Sequence, residues 1–499
     1  MGLAKLCARA LNGMNALEVI VEVHVAGGLP SFSIVGLPDV AVRESRDRVR
    51  SAIQMSGFEF PARRITVNLA PADLPKDSGR YDLAIALGIL LASGFIKSKK
   101  NINDFEFAGE LALDGALRKI KGALAISYSA GQNNRAFILP FDNAMEAALV
   151  ENVVIYGVHS LKQVLDFLSG AVDILPIVSR ETMTQVENAL LMDFNQVKGQ
   201  SGVKKALEVA ASGRHSLLMI GNPGCGKSML AQRFTTILPP LSTQQAIETA
   251  SIYSLVEDFK LNNWRKVPFR SPHHSCSNVA LVGGGSNPRP GEISLAHHGV
   301  LFLDELLEFD RKVLEVLREP LESKEINIAR ARHKVVFPAD FQLIAAMNPC
   351  PCGNKGNLQK VCKCSSEQIT KYTSKLSGPL VDRIDLVVNI PQIKPEDLFE
   401  LPKGESSSQI KERVLQSRYV QLSRQDKLNY ALNNDEVEEY CVLDKNATQL
   451  LNDISDKFGL SARSYYRLKK IARTIADLSN SALIQKEHIA QSIQFKVIY

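Results

Sequence analysis

The sequence has no long hydrophobic run and no large excess of one charge. Its longest apolar stretch, residues 83–95, is shorter than the roughly 18–20 residues that span a bilayer and follows the charged Asp82. We therefore expect a buried helix there and no association with a membrane. Lysine and arginine (59 residues) outnumber aspartate and glutamate (53 residues) by only six over 499 residues. So dilute a surplus does not by itself indicate a polyanionic partner.

The eight cysteines occur as four isolated residues and two close pairs, and the amino terminus lacks the apolar core and small-residue cleavage site of a secretion signal. Both features favour a reducing compartment, and we expect the cytoplasm. The composition, 45% hydrophobic and 22% charged, is that of a globular protein, and the length predicts about three domains. Four of the eight cysteines stand alone: Cys7, Cys225, Cys276 and Cys441.

Apolar periodicity divides the chain into three domains and a linker. Residues 1–175 alternate β-branched runs with helical stretches, which predicts a compact α/β domain. Polar residues gather in the segment 176–192, which we interpret as the linker. Residues 193–393 alternate strand and helix signals, as in a parallel sheet flanked by helices. The pattern of residues 394–499 is helical and predicts a lid domain.

A glycine-rich loop between a hydrophobic strand and a helix matches the phosphate-loop pattern at every position. Glycines let successive backbone N–H groups point into one concavity, and the helix amino terminus adds a partial positive charge. Lys227 would neutralise the outer phosphates, and Ser228 would ligate Mg²⁺. We therefore predict an ATP site formed by Gly221, Asn222, Pro223, Gly224, Cys225, Gly226, Lys227 and Ser228.

Polar side chains also follow two other predicted strands. Residues 300–303 end in Asp304 and Glu305, and ligands of parallel sheets bind at the carboxyl ends of strands. Asp304 would hold Mg²⁺ through water, and Glu305 would orient and deprotonate the attacking water. Asn348 follows a third strand, where it would hold the lytic water or the γ-phosphate, or else cap the turn before Pro349.

Four cysteines form two close pairs, Cys350 with Cys352 and Cys362 with Cys364. Tetrahedral binding of zinc by thiolates is the commonest use of such a set in a cytosolic chain. The spacing within each pair is one residue rather than the usual two, so reduced thiols or a labile disulfide are the alternatives. The sequence therefore indicates a candidate zinc site and leaves these alternatives open.

Residues 325–337 alternate apolar and polar positions on both sides of a basic centre. This pattern predicts a β-hairpin with a charged tip. Considered alone, such a tip is more typical of a solvated basic turn than of a binding element. The residues of the tip are Arg330, Arg332, His333 and Lys334.

Together with the strings FRSPHH, GEISL, NPCPCG and SGPLVDRID, these motifs closely resemble the ComM (YifB) family of magnesium-chelatase-like AAA+ proteins. The resemblance extends essentially from end to end. It implies a homo-hexameric ring that hydrolyses ATP between subunits and moves DNA. The activity implied is that of a helicase that binds single-stranded and branched DNA and promotes branch migration during natural transformation or homologous recombination. Recombination proteins are the implied protein partners. The alternative is a chelatase-type ATPase that remodels a protein partner.

The resemblance also implies roles for individual residues. Asn348 looks like sensor 1, Arg383 like an arginine finger that reaches a neighbouring subunit's γ-phosphate, and Arg463 like sensor 2. An arginine supplied by a neighbour is physically sensible, because its planar fork stabilises charge on the transferring phosphoryl group. From the residues alone, Arg383 would instead pair with Asp382 or Asp385, and Arg463 would lie on a solvated helix face.

Two further elements resemble inserts of the same clade. Residues 243–296 resemble a helix-two insert, in which glycines 283–285 and Arg289 would form a mobile loop facing the pore; a flexible surface turn is the alternative. The basic hairpin resembles the pre-sensor-1 hairpin, which projects into the ring channel. This placement favours contact with DNA phosphates without readout of sequence.

Residues 1–175 resemble the Lon-protease-like domain, most visibly at the string Pro75, Lys76, Asp77 and at residues 109–111. A peptidase would need a serine after this string. Ser78 follows the string but is out of register, and Arg80 or Tyr81 stands where the nucleophile should be. We therefore expect a domain of this fold without peptidase activity.

Overall fold

The computed structural model describes residues 2–12, 15–72, 74, 76, 78–178, 192–256, 260–285, 288–330, 333–357, 359–392 and 402–495. These residues form two compact units. The first comprises Met1–Thr184 and Thr243–Trp264, and the second comprises Gln185–Ser242 and Arg265–Tyr499. Most of the predicted linker, and both Pro75 and Asp77, lie outside the described residues. None of the described helices combines the length and the apolar character that crossing a lipid bilayer requires.

The first unit is built on a mixed seven-stranded sheet with the order β3-β4-β2-β1-β5-β8-β9. The pairs β1–β2 and β2–β4 are antiparallel, and the other neighbouring pairs are parallel. The strands of this unit are β1 (Gly2–Asn12), β2 (Asn15–Ala26), β3 (Ser31–Val35), β4 (Arg64–Ala70), β5 (Phe105–Phe107), β6 (Glu110–Leu111), β7 (Leu117–Arg118), β8 (Ala136–Pro140) and β9 (Ile155–Val158).

The helix Asp82–Ala92 confirms the buried helix expected at residues 83–95. Every residue from Asp82 to Leu90 is buried, and the chain leaves the helix just before Gly94, which has a φ of +75°. Asp82 pairs with Arg48 at 2.7 Å, as a buried carboxylate requires. The α-helices of the first unit are Val40–Met55, Asp82–Ala92, Ala123–Gln132, Phe141–Ala147, Leu161–Ser169 and Thr243–Val256.

The second unit contains a parallel five-stranded sheet with the order β11-β14-β17-β10-β18. Strands β10, β14 and β17 are buried at every position, as expected for parallel strands that are covered on both faces. Its strands are β10 (Leu217–Gly221), β11 (Phe269–Arg270), β12 (Gly283–Gly284), β13 (Arg289–Pro290), β14 (Val300–Leu303), β15 (Glu325–Arg330), β16 (His333–Pro338), β17 (Gln342–Met347) and β18 (Leu386–Ile390).

Helices flank this sheet and make up the carboxy-terminal part of the chain. Two long helices, Ser407–Gln425 and Ala462–Leu478, confirm the helical pattern predicted for the carboxy-terminal part of the chain. The fold is therefore mixed α/β with a parallel sheet and a helical carboxy-terminal region. The α-helices of the second unit are Ser201–Gly213, Lys227–Phe234, Asn278–Val282, Glu292–Leu295, Arg311–Val316, Arg318–Ser323, Ser366–Thr373, Gly378–Val381, Ser407–Gln425, Asn434–Tyr440, Lys445–Phe458, Ala462–Leu478 and Lys486–Gln494.

Candidate active site

The glycine-rich loop joins the end of β10 to the helix Lys227–Phe234. Gly224 and Gly226 have φ values of +80° and +90°, which side chains rarely adopt. At Gly221, an added Cβ would lie 2.6 Å from Sγ of Cys225, so the close packing of the loop also requires glycine. The three glycines therefore fit the tight turn that a phosphate-binding loop needs.

The side chain of Lys227 is held inside this loop. Its ammonium donates to the carbonyl of Gly221 at 2.7 Å, the carbonyl of Asn222 at 3.0 Å and Oδ1 of Asn348 at 3.1 Å. An ammonium has three N–H donors, and each has an acceptor here. The contact with Asn348 shows that this side chain faces the phosphate loop from the neighbouring strand β17.

Ser228 and Asp304 lie in direct contact across the site. The hydroxyl of Ser228 donates to Oδ2 of Asp304 at 2.5 Å, and the backbone N–H of Glu305 donates to Oδ1 of Asp304 at 2.9 Å. They meet because β10 and β14 flank β17 in one parallel sheet, so their carboxyl ends lie at one edge. A hydroxyl and a carboxylate placed in this way suit Mg²⁺, which prefers oxygen ligands.

Glu305 adopts a left-handed backbone conformation, with a φ of +51°. Such a conformation costs about 1–3 kcal/mol for a non-glycine residue and is found preferentially at functional sites. Oε2 of Glu305 lies 3.2 Å from Nδ1 of His274. His274 is absent from the site residues predicted from the motifs. The string FRSPHH was the available signal, but it gave no role for this imidazole.

The two candidate arginines share one carboxylate. Nη2 of Arg383 lies 2.5 Å from Oε1 of Glu322, and Nη2 of Arg463 lies 3.2 Å from the same oxygen. The hydrogen bond from Arg383 lowers the pKa of Glu322. Asp385, the alternative partner of Arg383 considered from the sequence, is instead paired with Arg467 at 3.4 Å. The motifs gave no indication of Glu322, because it lies outside every matched string.

The four paired cysteines form one cluster. Their Sγ atoms all lie within 4.8 Å of one another, and three of the distances are 3.5, 3.6 and 3.6 Å. All four thiols are free, and these distances are far longer than the roughly 2.05 Å of a disulfide bond. The cluster could therefore bind a metal ion. Its members are Cys350, Cys352, Cys362 and Cys364.

Residues 325–338 form the expected antiparallel hairpin. Its last backbone pairs are Ala329 with Lys334 and Arg330 with His333, so the basic positions are at the turn. Arg332 lies outside the described residues. Arg289, assigned to a pore loop by resemblance, is exposed in β13 and pairs with Gly284 across a short antiparallel ladder.

Family models and individual relatives all match this chain to the same protein family. Three models of the magnesium chelatase subunit ChlI match: its ChlI segment at residues 21–143, the magnesium chelatase segment at 193–398 and the ChlI carboxy-terminal segment at 404–496. The chain is 45% identical to "Competence protein ComM" of Haemophilus influenzae, over 100% of this chain and 98% of that protein.

Two further relatives also match along nearly their whole length. The Escherichia coli protein YifB is 46% identical, over 100% of this chain and 98% of its own. An uncharacterized protein of Mycobacterium tuberculosis is 38% identical, over 99% of both chains. Since the fold, the phosphate loop and these full-length similarities agree, the chain belongs to the ComM/YifB family of magnesium-chelatase-like AAA+ ATPases.

Proposed function

We propose that this ATPase is a DNA translocase, a homo-hexameric ring that promotes branch migration during natural transformation or homologous recombination. The observation that carries the proposal is the hairpin of β15 and β16, whose backbone register puts Arg330, His333 and Lys334 at its turn. Basic residues grouped at the turn of a hairpin suit the phosphate backbone of DNA. The similarity to a protein named for competence supports the same conclusion.

The base of the hairpin is anchored while its turn carries charge. Ile326, Ile328, Val335 and Phe337 are all buried, each at most 7% exposed. The backbone N–H of Ala339 donates to the carbonyl of Lys324 at 2.7 Å and closes the base. An anchored base allows the turn to exert force on a bound strand instead of folding aside.

In this proposal, strand β17 transmits movement from the nucleotide site to the hairpin. It follows β16 after three residues and ends directly before Asn348, which bonds to Lys227. A nucleotide phosphate would compete for Lys227 and thereby release Asn348. Because β17 is buried along its whole length, a shift at Asn348 would be carried to the base of the hairpin.

In this proposal, ATP hydrolysis uses residues from two subunits. Bound Mg²⁺, held by Ser228 and Asp304, would neutralise charge on the phosphates. Glu305 would orient and deprotonate the attacking water, and His274 would hold the carboxylate of Glu305 in position. The guanidinium groups of Arg383 and Arg463, supplied by a neighbour, would stabilise the charge on the transferring phosphoryl group.

ATP turnover and strand migration on forked and three-stranded DNA test the proposal. We expect DNA to stimulate the native chain, Glu305→Gln to abolish turnover, and the double variant Arg330→Ala/Arg332→Ala to keep basal turnover but lose stimulation and migration. The double variant should also lower the slope of log affinity against log salt by about two. Lys445→Ala/Lys457→Ala, which removes two exposed charges from one lid helix, is the matched control.

A second outcome would favour another function. The matching models describe a subunit of magnesium chelatase, which is compatible with an ATPase that remodels a partner protein. Turnover that requires Glu305 yet is insensitive to DNA, in the native chain and the hairpin variant alike, would support that reading and refute translocation.

We also propose that the cysteine cluster holds a structural zinc ion. Tetrahedral zinc with bonds of about 2.3 Å places its sulfur ligands about 3.8 Å apart, close to the observed 3.5–3.6 Å. Elemental analysis should find one zinc per chain, lost when Cys362 and Cys364 are replaced by serine. A folded native chain that binds no zinc, even after incubation with it, would refute this assignment.

A further inference from the structure

The cysteine cluster and the phosphate loop are in direct contact. The side-chain amide of Asn222, the second residue of the phosphate loop, donates to the carbonyl of Gly353 at 2.6 Å and to that of Lys355 at 3.2 Å. Asn222 is only 5% exposed, so water does not compete freely for these bonds. A residue of the phosphate loop that directly follows β10 is thus bonded to the segment that contains Cys350 and Cys352.

The backbones of the two loops also pack tightly. Gly353 is buried with a φ of +75°, and an added Cβ would lie 2.7 Å from the ring atoms of Pro223. Two consecutive residues of the phosphate loop, Asn222 and Pro223, therefore contact Gly353. The position of this part of the phosphate loop depends on the position of the cysteine segment.

Backbone hydrogen bonds to Cys350 link the residues of both carbonyls to the cysteine cluster. The backbone N–H of Gly353 donates to the carbonyl of Cys350 at 2.9 Å, and that of Lys355 donates to Sγ of Cys350 at 3.3 Å. Lys355 thus accepts from Asn222 on one side and donates to a sulfur of the cluster on the other. Displacement of that sulfur would displace the acceptor of Asn222.

The described part of the cysteine segment lacks regular secondary structure. Its described residues between Pro351 and Cys364 form no helix or strand, and many of them, including Lys355 and Val361, are exposed. Without a metal, the four cysteine side chains supply little to hold a segment of this kind together, whereas a metal ion bound by four thiolates closes it into one rigid loop. The metal would therefore determine whether the two acceptors of Asn222 stay in place.

We propose that occupancy of the cysteine cluster by zinc controls the affinity of the phosphate loop for ATP, through the two hydrogen bonds of Asn222. The inference rests on the zinc site and the ATP site of the proposed function. Each hydrogen bond contributes a factor of about 2–12 to an equilibrium constant. We therefore expect zinc removal to raise the Kd of ATP roughly tenfold. Asn222 is a positioning residue here, acting on the loop backbone.

The test measures the Kd of Mg-ATP in the Glu305→Gln background, which removes the proposed base, by isothermal titration calorimetry. The Kd of each protein is measured in three states: loaded with zinc, stripped of zinc by a chelator under reducing conditions, and reloaded with zinc. Three chains are needed: the background itself, the same chain with Asn222→Ala, and the same chain with Asn354→Ala. Asn354 is the matched control, since it lies in the cysteine segment between the two acceptors of Asn222.

We expect zinc removal to raise the Kd about tenfold in the background and in Asn354→Ala, and zinc return to restore it. Asn222→Ala should have the higher Kd with or without zinc. Equal Kd values for the zinc-loaded background and zinc-loaded Asn222→Ala would overturn the inference, and this comparison holds even where stripped protein unfolds. So would a zinc dependence that persists in Asn222→Ala.

Failure of the proposed function gives different results. Zinc-loaded background that does not bind ATP would refute the nucleotide site, and a folded chain that takes up no zinc would refute the metal site and this inference together. ATP binding that is tight and insensitive to zinc would refute the coupling alone.

Discussion

The phosphate side of the site and its arginine side differ in what their charged groups contact. On the phosphate side, Lys227 bonds to Asn348 and Ser228 bonds to Asp304, so the predicted ligands contact one another. On the arginine side, Arg383 and Arg463 are both paired with Glu322, which belongs to no predicted motif.

This difference has a physical reason. The phosphate side is assembled by adjacent strands of one parallel sheet, whose order already fixes the neighbours of each ligand. The arginine side is not assembled by neighbouring strands, because Arg463 lies in the helix Ala462–Leu478 and Arg383 follows the helix Gly378–Val381. Its guanidinium groups need a counterion until their target is present, and Glu322 provides one. The residues of the phosphate side thus contact one another within one chain, whereas the proposed target of Arg383 and Arg463 is the nucleotide of a neighbouring subunit.

The largest effect should come from breaking the phosphate side. Lys227→Ala removes the ammonium that would neutralise the phosphates. Because both ATP binding and phosphoryl transfer depend on that charge, we expect turnover to fall by more than about a thousandfold. Release of inorganic phosphate at saturating ATP measures it. Lys445→Ala, at an exposed position of a carboxy-terminal helix, is the control and should leave turnover unchanged. Retention of more than a tenth of native turnover would place the phosphate contact elsewhere.

Arg383→Ala should cost about a thousandfold in turnover, because an arginine finger typically contributes this much or more. The Kd of ATP should change little if the arginine serves a neighbour's nucleotide. Mixing Arg383→Ala chains with Lys227→Ala chains should then restore part of the turnover, since each variant lacks a different side of the site. No recovery on mixing, together with weaker ATP binding by Arg383→Ala, would place this arginine within its own subunit's site.

The two sides also differ in how far the sequence predicts them. Two local patterns predict the phosphate side. The spacing of the glycines predicts the turn, and a hydrophobic strand before each acidic or amide side chain predicts where these side chains lie. The contact of His274 with Glu305 and that of Glu322 with two arginines join segments distant in sequence. Such pairs depend on tertiary packing, which no local pattern encodes.

The fold shows the same limit. Helical periodicity predicts the helical carboxy-terminal region, where the helices Ser407–Gln425 and Ala462–Leu478 lie. The long strand β1 was missed, since its exposed and buried positions mix small and charged residues without clear alternation. The local sequence pattern also does not predict that Thr243–Trp264 belongs to the first compact unit.

Asp385 contacts both sides of the site, and we expect acid to weaken its contribution to the stability of the fold. It accepts from the backbone N–H of Ser216, which precedes β10, and pairs with Arg467 of the helix that carries Arg463. Burial opposes ionisation, but contacts with His215 and Arg467 outweigh it and lower the pKa of Asp385 to about 2.

Asp385 should therefore stabilise the fold above its unfolded pKa of about 3.9 and lose this contribution as the pH falls to about 2. We expect Asp385→Asn to reduce the free energy of unfolding by about 2 kcal/mol at pH 5, with the difference from the native chain narrowing toward pH 2. Denaturant unfolding at several pH values measures it. The neighbouring, exposed Asp382→Asn is the control. A difference that is constant from pH 5 to pH 2 would contradict the assigned ionisation.

The smallest effect should come from releasing the arginines. Glu322→Gln keeps the shape of the side chain but removes the charge that competes with a neighbour's phosphates for Arg383 and Arg463. Because the carboxylate is half exposed, with 53% of its side chain accessible, the pair contributes no more than about 1 kcal/mol. We expect a rise in turnover of at most about fivefold, confined to protein concentrations at which assembly is incomplete. Glu319→Gln, one turn earlier in the same helix and also exposed, is the control. Lower turnover in Glu322→Gln at every concentration would instead mean that the carboxylate positions the arginines for catalysis.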